Sequence, residues 1–158
     1  MIKLEDYFRH RVSPQAYDLF AVFARFEYAM KKGGFLREGY PDAAWRNFSA
    51  ALPADYFARM SAAPEAKIYF QTPPDHLVLD GNGGVRWSGA AKAPTTVVSL
   101  FESVKTARNN LFHGDKRHDS RRDHDLMVAG LFILNAAFES AQTDSSFDSF
   151  IDAMEYGL

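Results

Sequence analysis

Thr95–Gly114, TTVVSLFESVKTARNNLFHG, is the stretch on which the reading of the whole chain turns. Val97, Leu100, Phe101, Val104, Ala107 and Leu111 recur at three- and four-residue intervals, the spacing of one face of an α-helix, and Gly114 follows as its C-terminal cap. With Val97 at zero on a wheel of about 100° per residue, the stripe centres near Val104 and Arg108 falls at roughly 20°, inside it. An arginine in an apolar face requires a partner, because an isolated buried charge is strongly disfavoured.

Working outward, Ser13-Pro14 is a helix start, serine as N-cap and proline in the first turn, and Gly33-Gly34 is a stop. Between them Ala16, Phe20, Phe23, Ala24 and Met30 stand at helical spacing, and Glu27 points between the directions of Phe20 and Phe23. Glu27 is therefore the expected partner of Arg108, either as a structural ion pair or as part of a site. Pro41–Leu52 and Pro53–Met60 read as short helices opened by proline. From Pro64 to Pro94 the pattern changes. Pro73-Pro74 is a break, and two short runs, His76–Leu79 and Val85–Ser88, flank the turn cluster Asp80–Gly84 and predict a hairpin. No Gly-Lys-Ser/Thr follows those glycines, so a phosphate loop is disfavoured.

Beyond Gly114, a charged connector over Asp115–Asp125 leads into Leu126–Ala141, apolar nearly all round and so expected to be the central buried helix. Phe147–Tyr156 reads as a last short amphipathic helix. The fold expected is all-α: an antiparallel helical bundle, one domain over residues 1–158, with a small β-hairpin insertion around residues 76–88.

Composition bounds the function. The 158 residues are 47% hydrophobic and 24% charged, an ordinary globular balance. A net charge of -2 gives no global attraction to nucleic acid or to an anionic membrane, so any polyanion site must be local. The absence of cysteine excludes a disulfide scaffold, thiolate metal sites and a cysteine nucleophile, and fits a reducing cytosol. Met1–Val12 lacks the apolar core of a signal peptide, and the apolar run Leu126–Phe138 is too short to span a bilayer. A cytoplasmic protein is expected.

Asn109 and His113 are about 40° apart on the wheel and can hydrogen-bond, whereas Arg108 and His113 are about 140° apart. Convergence of Arg108 and His113 needs an unwound last turn or a second copy of the chain. The run Arg108-Asn109-Asn110-Leu111-Phe112-His113-Gly114 (RNNLFHG) resembles the signature of the HEPN superfamily, in which an arginine followed by a polar residue precedes a histidine near the end of a bundle helix. Arg25–Lys31 (RFEYAMK) in the first long helix, together with the Pro-Pro, hairpin and Trp87 segment, resembles a plasmid-borne branch of that superfamily. The resemblance covers nearly the whole chain.

What the resemblance implies is a metal-independent endoribonuclease, a toxin or antiphage effector, acting as a homodimer with a composite site and without a cofactor. It also implies a possible cognate antitoxin as a partner. On that view Arg108 holds the phosphate, two His113 side chains serve as base and acid, Asn109 orients His113 and Glu27 fixes Arg108. Some branches carry a tyrosine two residues after the histidine, where this chain has Asp115. The superfamily also contains inactive members that bind a nucleotide or a protein partner, which is the alternative function.

Lys105, Lys116, Arg117 and Arg121, with Arg122, flank the motif and are candidates to track an RNA backbone. Asp115, Asp119, Asp123 and Asp125 are interleaved with them, so a solvated mixed-charge connector is the competing reading. Arg11, Arg37 and Arg46 read as ordinary surface residues. His113, His118-Asp119 and Asp123-His124-Asp125 could seed a hard-ligand metal site, but no upstream histidine stands on a helix to complete it, and no metal is expected.

Overall fold

Ser13 starts the longest helix of the N-terminal half: its hydroxyl accepts from the Ala16 amide at 3.4 Å, Pro14 opens α2 (Pro14–Lys32), and Gly33 caps it. The computed structural model describes residues 3–9, 12–112 and 120–156, with only the backbone at 7 and 8. A five-residue helix, α1 (Leu4–Phe8), precedes α2. The buried face of α2 is Leu19, Phe23, Phe26, Ala29 and Met30. Of the expected stripe, Ala16 is half-buried while Phe20 and Ala24 lie exposed. The helix is turned toward the bulkier set containing Leu19 and Phe26, which leaves Phe20 about 105° from the centre of the buried face.

The next two helices begin later than the prolines suggest. Residues 36 and 43 form an isolated antiparallel bridge, and the Ala44 amide donates to the Phe35 carbonyl at 2.7 Å, so the chain after Pro41 turns back before α3 (Trp45–Ala51) can start. Pro53 sits in the turn before α4 (Tyr56–Ala62). The region from Pro64, where the sequence pattern changes and predicts no helix, opens with a 3-10 turn, Pro64–Ala66, and a short helix, α5 (Lys67–Gln71), which buries Tyr69. Five residues are too few to show a periodicity, and the signal was missed for that reason.

The hairpin forms as expected, β1 (Leu77–Leu79) against β2 (Val85–Trp87), with Leu77 opposite Trp87 and Leu79 opposite Val85. Asp80 closes its turn, one carboxylate oxygen accepting from the amides of Asn82 and Gly84, while Gly81 and Gly83 supply the positive φ angles. α6 runs Val97–Phe112, and Gly114, its expected cap, lies outside the described residues. α7 (Arg121–Ala141) starts one turn before the apolar run, because the Ser120 hydroxyl accepts from the Asp123 amide at 3.1 Å and donates to the Asp123 carboxylate at 2.7 Å. Half of the expected connector is thus helix. A 3-10 turn, Ser145–Phe147, leads into α8 (Asp148–Glu155).

The result is a mostly helical bundle with one two-stranded antiparallel insertion. α7 is its centre, packing against α2, α5 and α6, and α2 also packs along α8. Phe26, Trp45, Phe48, Phe101, Phe147 and Phe150 form a continuous aromatic core with edge-on and stacked contacts. Two buried tyrosines tie neighbouring helices to α7: Tyr56 donates to the Ile133 carbonyl at 2.6 Å and Tyr69 to the Leu126 carbonyl at 3.0 Å. Burial pushes both phenols far above their ordinary range, with Arg59 opposing the shift at Tyr56. No single helix among the described residues is long and apolar enough to cross a membrane.

Candidate functional site

α6 delivers Arg108 and Asn109, and α2 delivers Glu27, to one place near the surface end of the α2–α6 contact. Arg108 Nη2 lies 3.9 Å from Glu27 Oε2, so the two charges inferred to meet do so. The contact is an ion pair outside hydrogen-bond distance, between side chains 29% and 34% exposed. Glu27 stands about 85° from the centre of the buried face of α2, at its margin, which explains the partial exposure.

Three further contacts hold the guanidinium. Nη1 donates to the Asn109 side-chain carbonyl at 2.8 Å, and the guanidinium lies 4.7 Å from the Phe23 ring centre and 5.3 Å from that of Phe112. Cation–π contacts of this kind favour a cation that has lost part of its hydration. Arg108 Nε is buried and finds no hydrogen-bond partner among the described residues. Nη1 is thus committed to Asn109 and Nη2 faces Glu27, while Nε is enclosed by the protein.

Glu27 is itself held from the other side. Buried Trp45 donates its indole N–H to Glu27 Oε1 at 3.0 Å, so the carboxylate joins Trp45 on α3 to Arg108 on α6. Trp45 was not anticipated as a member of the site. A buried indole N–H needs an acceptor, but nothing local in the sequence names which.

Asn110 is buried and its amide donates to the Asp75 carbonyl at 2.9 Å, which fastens the base of the hairpin to the motif helix. Asp75 in turn gathers that base with its carboxylate, accepting from the His76 and Gly89 amides and from the Ser88 hydroxyl. Desolvation works against the charged form, but these hydrogen bonds and nearby His76 outweigh it and hold the carboxyl below its ordinary value.

Of the basic candidates, Lys105 and Arg121 are described, and neither shares a hydrogen bond or ion pair with Arg108 among the described residues. Lys105 pairs with Glu102 at 3.7 Å and shares a cleft of about 590 Å³ with Glu27 and Trp45. Arg37 and Arg46, read as ordinary surface residues, line the same cleft. Arg121 is exposed at the start of α7 and shares no hydrogen bond or ion pair with the Arg108 cluster among the described residues. Arg122 donates to the carbonyls of Thr72 and Pro73 and is a structural tie. His113, Lys116 and Arg117 lie outside the described residues. On the other side of Arg108 a second pocket, about 330 Å³ and almost wholly apolar, opens between α2 and α6. Among the described residues no group of three or more histidine and acidic side chains is placed to hold a metal ion.

Comparisons with family models, with curated proteins and with solved structures find no match for this chain.

Proposed function

We propose that the chain is a HEPN-type, metal-independent endoribonuclease of the cytosol, with Arg108 and His113 at its catalytic centre. The observation that supports this reading is the state of Arg108: a guanidinium oriented by Glu27, Asn109 and two phenyl rings, with its Nε donor unpaired among the described residues. A planar guanidinium edge offers two parallel N–H donors to two oxygens of one phosphate and keeps its charge throughout.

In the reaction a base removes the proton of a ribose 2′-hydroxyl, and that oxygen attacks the adjacent phosphorus. The P–O5′ bond breaks, an acid protonates the departing O5′, and a 2′,3′-cyclic phosphate remains. Imidazole titrates near neutrality and suits both proton transfers, so two His113 side chains from two copies supply base and acid. Arg108 neutralises the charge that builds on the non-bridging oxygens. Glu27 and Trp45 act on Arg108 as positioning residues.

Incubating the purified protein with structured RNA in excess chelator tests this. Cleavage to 2′,3′-cyclic phosphate ends, lost in His113→Ala and reduced about 100-fold or more in Arg108→Gln, is the expected result. Cleavage that requires added metal overturns the mechanism. A strictly monomeric active protein removes the second imidazole. Absence of cleavage on any RNA leaves the other reading, a silent module that binds a nucleotide or a protein partner.

A further inference from the structure

Asn110, the Pro73-Pro74 break and Arg122, none of which has a part in the ribonuclease reading, meet on one short segment. Asn110 is the only polar side chain buried along α6 among the described residues, and its amide donates to the Asp75 carbonyl at 2.9 Å. From the other side Arg122, in the first turn of α7, donates to the Thr72 and Pro73 carbonyls at 3.1 and 2.9 Å. Residues 72–75 are therefore bonded both to the end of α6 and to the start of α7.

That segment is stiff. Two consecutive prolines fix two of its φ angles, and Pro74 is buried. Asp75, whose carbonyl takes the Asn110 bond, is anchored by its own carboxylate, which accepts from the Ser88 hydroxyl and from the His76 and Gly89 amides. The Ser88 amide donates in turn to the His76 carbonyl at 2.9 Å. The hairpin base thus braces the acceptor, which resists following α6 when that helix turns about its axis.

Asn110 and Arg108 are two residues apart and point about 160° away from each other around α6. Arg108 faces α2, where its ion pair with Glu27 is stretched to 3.9 Å and partly exposed. Asn110 makes its hydrogen bond from a buried amide. Leaving a buried amide unpaired costs more than loosening a partly solvated ion pair, so the Asn110 contact is the firmer of the two and sets the rotation at which α6 presents Arg108.

We propose that residues 72–75 form a splint across the ends of α6 and α7, and that Asn110 and Arg122 are positioning residues that fix the orientation of Arg108. The catalytic consequence rests on the ribonuclease reading, whereas the orientation of Arg108 does not.

Nuclear magnetic resonance of the Arg108 Nε–H proton and cleavage of RNA, both measured on the whole protein, test it. Arg108 Nε is buried, so in the wild type its proton should exchange slowly with water. Asn110→Leu keeps a branched side chain but loses the donor, and should speed that exchange at least about fivefold and lower kcat about tenfold, with KM within about twofold of wild type. Arg122→Met, at an exposed position, keeps the test open where Asn110→Leu does not fold, and should act in the same direction by a smaller amount. Asn110→Asp should be as defective as Asn110→Leu at about pH 8 and recover relative to wild type at lower pH, where its protonated carboxyl becomes a donor, while Asn110→Leu keeps a constant ratio to wild type. The splint is overturned if Arg108 exchange is unchanged in the folded variants, if they lower only the unfolding midpoint while exchange and kcat hold, or if low pH rescues nothing in Asn110→Asp. Wild-type protein that cleaves no RNA overturns the ribonuclease reading instead, and the exchange measurements, Asn110→Asp included, then decide the splint by themselves.

Discussion

Glu27 divides its carboxylate between two neighbours of unequal quality. Trp45 donates a hydrogen bond at 3.0 Å from a buried indole, and Arg108 sits opposite at 3.9 Å across a partly solvated gap. A hydrogen bond of the first kind contributes about 0.5–1.5 kcal/mol, and a half-exposed ion pair less, because water screens it and competes for both groups. Trp45→Phe keeps most of the ring packing and loses the donor, so its urea midpoint should fall by about 1 kcal/mol of stability with an unchanged slope. Glu27→Gln keeps a carbonyl for the indole and removes only the charge opposite Arg108, so it should cost less. The reverse order would show that the ion pair dominates. At this scale the sequence was informative about charges and silent about Trp45. An acid and an arginine on apolar helix faces must find compensation, and that requirement can be counted along a helix. The choice of an indole from a third helix depends on how α3 is laid across the bundle, which no local spacing encodes.

The hairpin illustrates how an element can depend on one carboxylate. Asp75 binds both ends of its base, and its carboxyl is held below the ordinary value by the hydrogen bonds it accepts. A depressed folded-state value means that the stabilisation is complete above the unfolded-chain value, about pH 4, and is lost as the pH falls through the lowered one. Amide exchange across residues 77–87, corrected for its intrinsic pH dependence, should therefore accelerate below about pH 4 while the α7 amides stay protected. Asp75→Ala should show the fast exchange already at neutral pH. A hairpin equally protected at pH 3 and pH 6 would assign its order to packing instead. The elements read correctly from sequence share a local cause: the Ser13-Pro14 start, the Asp80–Gly84 turn and the α6 stripe each satisfy their own backbone or face. Those misplaced have a distant one. Pro41 precedes α3 by four residues because Ala43 pairs with Leu36, and α5 exists because Tyr69 reaches Leu126 across the core.

For the molecule as a whole, the decisive contact is between its first long helix and its last. A Cβ on Gly33 would stand 2.7 Å from the backbone of Phe150, so α2 and α8 approach as closely as glycine permits. Gly33→Ala should force the helices apart and lower global stability by about 1–3 kcal/mol, seen as a coincident midpoint shift in far-ultraviolet and tryptophan-fluorescence unfolding. A neutral effect would mean that α8 can slide. Arg25 reinforces the same seam by donating to the Tyr156 carbonyl at 3.0 Å. This closure has a consequence for biosynthesis. While the chain is emerging from the ribosome, Phe26 can meet Trp45 and Phe48 early, but its contact with Phe150 waits for a segment made more than a hundred positions later. Nascent chains stalled before Phe150 has emerged would leave the side of α2 that faces α8 uncovered and open to chaperones.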